Sequence, residues 1–86
     1  MKGVGEPMTA KTANHIFAVL MSDADETRAC LRAVHAEYEE AKESGDVDLM
    51  KNMRKVESKL RRSLQATEEA LLEIEEIIDE IDDARG

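Results

Sequence analysis

Aromatic side chains are almost missing from this chain of 86 residues: Phe17 and Tyr38 are the only two, and there is no tryptophan. Large rings normally supply much of a compact core, because each buries a wide apolar area. Their scarcity argues against an ordinary globular interior. Cysteine occurs once, at Cys30, so no internal disulfide can brace the fold. An unpaired thiol in a chain without staples points to a reducing, cytoplasmic setting. The longest uninterrupted apolar run is Ile16 to Met21, which is too short for a membrane span or for the apolar part of a signal peptide. Proline is found only at Pro7, and beyond it nothing forbids helix. Positive charge is also in deficit. The net charge of −8 disfavours general binding to nucleic acid or to anionic membrane.

What remains is Leu, Ile, Val, Met and Ala among many Glu, Lys and Arg, the composition of long or coiled helices. The apolar residues are spaced accordingly. Leu49, Met53, Val56, Leu60, Leu64, Thr67, Leu71, Ile74, Ile78 and Ile81 follow one another in steps of three or four, which places them on one helix face. The first half mirrors this with Ile16, Leu20, Ala24, Thr27, Leu31, Val34, Tyr38 and Ala41. Between the stripes stands Ser44-Gly45-Asp46, where glycine can close one helix in the left-handed conformation and aspartate can cap the next.

The expected fold is all-α: two long antiparallel helices forming a coiled-coil-like helical hairpin. Residues 1–8, with two glycines and a proline, are expected to form a flexible arm, and residues 9–86 a single hairpin domain. Its helices are expected over about 10–43 and 47–83, with the turn at 44–46. Ser22-Asp23-Ala24-Asp25-Glu26 resembles a capping box, but the stripe passes through Ala24 and Thr27 in phase, which favours one continuous helix. Matching the stripes across Gly45 sets Tyr38 near Met53, Leu31 near Leu60, Ala24 near Thr67 and Leu20 near Leu71.

A hairpin needs one stripe per helix, and the open end offers more. Ile16, Phe17, Leu20 and Met21 on one helix, with Leu71, Leu72, Ile74, Ile77, Ile78 and Ile81 on the other, cover wide arcs. Each such side chain gains about 1.5–3 kcal/mol on full burial. These ten are therefore the expected partner or oligomer interface. The expected partner is either a second copy, giving a homodimer in the form of a four-helix bundle, or an amphipathic helix of another protein.

Charge is distributed unevenly along the same rod. Acids crowd the last turns, from Glu68 to Asp83, against the sense of the helix macrodipole. Arg28, Arg32, Lys59, Arg61 and Arg62 form a basic belt at mid-length, the candidate contact for an anion or nucleic acid. Lys51, Arg54 and Lys55 are expected to be neutralised by Glu37, Glu39, Glu40 and Glu43 across the hairpin. A partner laid antiparallel would set acid against base.

Catalytic, cofactor and metal motifs are not found. His15 and His35 lack the Glu-x-x-His spacing of metal-binding bundles, and Cys30 borders the stripe, where packing is the expected role. No glycine-rich phosphate loop, nucleophile elbow or paired-cysteine pattern occurs. The order of helix, short Gly45-Asp46 turn and longer helix resembles small helical-hairpin chaperones, such as the co-chaperones of type III secretion needle subunits. The resemblance is one of architecture and assigns no function by itself; the apolar open end gives the expected role, a non-enzymatic protein–protein interaction module, adaptor or chaperone-like. Its alternative is a small nucleic-acid-associated regulator that uses the basic belt.

Overall fold

The computed structural model describes residues 8–85, with the side chain of Arg85 left out. It is an antiparallel hairpin of two helices, α1 (Ala10–Ser44) and α2 (Val47–Arg85). Together they make a rod 64 Å long and only 16 by 14 Å across. Of the arm expected over 1–8, residues 1–7 lie outside the described ones, while Met8 is half-buried and packs against the core.

Both ends of α1 and the start of α2 are closed by local hydrogen bonds. Thr9 precedes α1 in extended conformation, and its hydroxyl oxygen accepts the Thr12 N–H at 3.2 Å. That satisfies one of the orphan donors of the first turn. At the other end Gly45 takes φ 74°, the left-handed region that costs glycine nothing. The Gly45 N–H then reaches the Lys42 carbonyl at 3.3 Å and the Asp46 N–H the Ala41 carbonyl at 2.9 Å. These paired bonds are a Schellman closure. Asp46 immediately starts α2, its Oδ1 accepting the Leu49 N–H at 3.1 Å. The turn therefore consists of Gly45 and Asp46, short enough to force the helices alongside each other.

Through Ser22–Glu26, α1 continues without a break. Two polar contacts fix the pairing of the helices: Thr67 meets Asp23 at 3.1 Å, and Arg54 meets the Tyr38 hydroxyl at 2.8 Å. Both agree with the register in which Ala24 lies opposite Thr67 and Tyr38 beside Met53.

Burial is uneven along the seam. At the open end Ala13, Ala24, Leu71, Ile74 and Ile81 form a buried cluster, with α1 supplying the small side chains and α2 the large ones. Small residues let one helix approach while the facing Leu and Ile fill the space between them. Ala41 is buried beside the turn. Between these lies a polar layer of Thr27 and Thr67. Thr27 donates to the carbonyl of Asp23 at 3.0 Å. Thr67 Oγ1 has a single proton to share between the Ser63 carbonyl at 3.0 Å and Asp23 Oδ2 at 3.1 Å. From that layer toward the turn, Leu31, Val34, Tyr38, Met53, Leu60 and Leu64 are only half-buried, and Val56 is exposed. A helix with one neighbour leaves both flanks of its stripe open to water.

Candidate functional site

The ten residues expected at the interface divide into three groups. Leu71, Ile74 and Ile81 are buried within the hairpin itself and have no surface to offer. Ile16, Phe17, Leu20, Ile77 and Ile78 are half-buried around that cluster. Met21 and Leu72 are exposed, Leu72 at 64%. Surplus apolar surface is therefore not confined to the open end. Val19 at 53% and Val56 extend it to a flank and to the turn-proximal half.

One long face of the rod collects most of the chemistry. On α1 it carries Asn14, Phe17, Met21, Asp25, Arg28, Arg32 and His35, spaced by three or four. On α2 the matching row is Glu57, Arg61, Leu64, Glu68, Leu72, Glu75 and Asp79. Two grooves confirm that these rows adjoin. Near the open end Asn14 and Phe17 line a groove of about 480 Å³ with Glu75, Ile78 and Asp79. At mid-length Arg28, Leu31, Arg32, His35 and Ala36 line one of about 510 Å³ with Glu57 and Arg61. The first sets Phe17 and Ile78 beside Glu75 and Asp79, and the second sets Leu31 and Ala36 among Arg28, Arg32, Arg61 and Glu57.

Two of the arginines that line the mid-length groove are already paired. Arg28 contacts Asp25 at 3.3 Å and Glu68 at 3.1 Å. Arg61 reaches Glu57 at 3.0 Å along its own helix. Such exposed pairs contribute little to stability, about 0–1 kcal/mol each. They offset the positive charge of Arg28 and Arg61 on this face.

The basic belt does not form a single ring. Arg28, Arg32 and Arg61 line the mid-length groove, whereas Lys59 and Arg62 line another of about 400 Å³ on the outer side of α2, with Arg54, Lys55 and Ser58. The expected neutralisation of Arg54 and Lys55 by the acids of α1 is not seen among the described residues. Arg54 instead lies over the Tyr38 ring, 5.4 Å from its centroid, and donates to the hydroxyl. A guanidinium stacked on a ring face is held by the ring quadrupole as well as by the hydrogen bond. Spacing alone gave no sign of this, because a lysine or a glutamate would fit the same helical position. Cys30 is exposed rather than packed against the seam.

Among the described residues no group of three or more His, Cys, Asp or Glu side chains is placed to hold a metal. No helix there is long and apolar enough to cross a membrane. Comparison with known protein families, with curated proteins and with solved structures found no match.

Proposed function

We propose that this protein is a non-enzymatic protein–protein interaction module, a small adaptor or chaperone-like hairpin that acts in the cytoplasm by burying apolar side chains against an amphipathic helix. The observation that carries this reading is the exposure of Leu72 at 64% and Met21 at 40% on the face that also holds Phe17. A charged rod gains nothing from leaving such residues in water, whereas a helix laid over them recovers their burial. The half-covered seam toward the turn supports the same reading, since a further helix would close its flank.

A photo-crosslinking residue at position 72, with one at Ala29 on the far side of α1 as control, tests this in cells of the native host. Discrete adducts from position 72 that are absent from position 29 are expected. No adduct from 72, or an equal pattern from both, would refute the module.

The uncompensated groove of Arg54, Lys55, Lys59 and Arg62 favours a second reading, contact with nucleic acid through Lys59 and Arg62 together with Arg28, Arg32 and Arg61. Against it stand the net charge of −8 and the carboxylates already paired with Arg28 and Arg61. It predicts steeply salt-dependent retention of DNA or RNA, and lack of retention at low salt removes it.

A further inference from the structure

The back of α2, turned away from α1, is divided by charge. Two residues turn a helix through about 200°, so the positions two beyond each residue of the α2 stripe lie opposite the seam. In the turn-proximal half these are Lys51, Lys55, Ser58 and Arg62. In the half toward the open end they are Glu69, Glu73, Glu76, Glu80 and Asp83, and Ala66 stands between the two sets. All of them are exposed. Lys55, Ser58 and Arg62 line one hollow with Arg54 and Lys59, to which α1 contributes no residue. The ion pairs among the described residues, Arg28 with Asp25 and Glu68 and Arg61 with Glu57, leave every charge of this row unused.

Such segregation costs the single chain. Acids four apart, as Glu69 and Glu73 or Glu76 and Glu80 are, repel along one helix, and so do Lys51 and Lys55, whereas alternating signs would attract. The row becomes favourable when it is laid against its own reverse. Turned end for end about the Gln65–Ala66 peptide, Glu69 comes level with Arg62, Glu76 with Lys55 and Glu80 with Lys51, while Glu73 falls level with Ser58 and next to Lys59. We infer that a second copy of the chain docks here, α2 against α2 and antiparallel, about a two-fold axis at Gln65 and Ala66. Each match is then made twice, and the residues on the axis carry no charge. Ala66 is also the midpoint of Val47–Arg85, so the two helices overlap along their full length. Only the outermost level opposes like charges, Asp83 with Asp48, and those two are about 100° apart around the helix. The oligomer contact so assigned lies on the back of α2, whereas the apolar pattern of the sequence pointed to the open end. It leaves Phe17 and Met21 uncovered and is independent of the proposed capture of an amphipathic helix.

Ionic strength and charge reversal provide the test. Exposed ion pairs are individually weak, so the contact depends on their number. At about 0.1 M salt a Debye length of about 10 Å screens the net charge of −8 on each copy but spares charges in contact, and at about 1 M it falls to about 3 Å. Sedimentation equilibrium at high protein concentration is expected to give twice the chain mass at the lower salt and a single chain mass at the higher. Lys55→Glu with Lys59→Glu, and separately Glu73→Lys with Glu76→Lys, should each weaken association roughly a hundredfold at the lower salt, because two-fold symmetry counts every reversed contact twice. Both variants place opposite charges three or four apart along α2, so helix content should not fall, which circular dichroism checks. An equimolar mixture of the two should recover the dimer, since each new acid then meets a new base. A wild-type monomer at the lower salt, a dimer that persists at the higher, variants that dimerise as the wild type does, or a mixture that fails to recover would overturn the inference. A wild-type monomer that retains DNA, with retention lost in the Lys55 and Lys59 variant, would overturn the second copy and give the basic half to nucleic acid. None of these outcomes depends on capture of a different protein from position 72, which decides the interaction module separately.

Discussion

Ile81 and Leu72 are aliphatic side chains of equal size on the same helix, and truncating each to alanine should have very unequal consequences. Ile81 is 1% exposed, packed into the open-end cluster with Ala13 and Ile74, whereas Leu72 is 64% exposed. Ile81→Ala removes three buried carbons, at about 0.8 kcal/mol each, or about 2.4 kcal/mol of lost burial. The higher helix propensity of alanine returns a few tenths of a kcal/mol. The cavity term is small here, because the cluster is near an open end and can relax. The net destabilisation is about 2 kcal/mol, against a total for a chain of this size of roughly 4–13 kcal/mol. In melting temperature that is a fall of roughly 8–16 °C. Leu72→Ala should stay within about 0.5 kcal/mol of wild type. Urea unfolding followed by helical circular dichroism gives both values, at low protein concentration so that association does not add to the monomer's stability. Equal effects at the two positions, or a loss below about 0.5 kcal/mol for Ile81→Ala, would refute the placement of the core.

Two further substitutions probe the turn and the seam. Gly45→Ala meets no atom within 4 Å, so its cost is that of the left-handed backbone alone, about 1–2 kcal/mol; Gly45→Asn should cost less, and an alanine variant as stable as wild type would show that the turn is made differently. Ala24→Leu increases the hydrophobicity of the stripe, yet Ala24 is fully buried, so overpacking should cost about 1–3 kcal/mol, and a gain in the unfolding midpoint would mean that the seam has spare room.

Much of the fold can be read directly from particular residues. The three-and-four spacing from Leu49 to Ile81 specifies a helix wherever it occurs, and Gly45-Asp46 carries both the stop and the start signal. Counting outward from Gly45 brings Ala24 opposite Thr67 and Tyr38 beside Met53, consistent with the Asp23–Thr67 and Tyr38–Arg54 contacts. Continuity through Ser22–Glu26 was harder to read, because a capping-box pattern and an in-phase stripe compete there. The stripe prevails: Thr27 satisfies its hydroxyl on the Asp23 carbonyl inside the helix and needs no break. The surface was less legible. Arg54, Arg61 and Arg62 all fall on one helix within three turns, but Arg61 faces the seam groove and Arg54 stacks on Tyr38, while Arg62 lies on the outer side of α2.

The sequence by itself determined that there are two helices, where they meet, and that they run antiparallel. Those properties follow from local periodicity and from a two-residue turn, which act over a few residues at a time. Only the tertiary structure decided which apolar side chains are enclosed and which remain outside. Leu71 and Leu72 are adjacent and chemically identical, yet one is buried and the other is 64% exposed. A step of one residue turns a side chain through more than a quarter of the helix circumference. How each helix is rotated about its own axis is settled by packing, with Ala13 and Ala24 admitting the large residues of α2. That rotation also sorts the charges onto faces, with Glu75 and Asp79 in one groove and Arg28, Arg32, Arg61 and Glu57 in another on the same side of the rod.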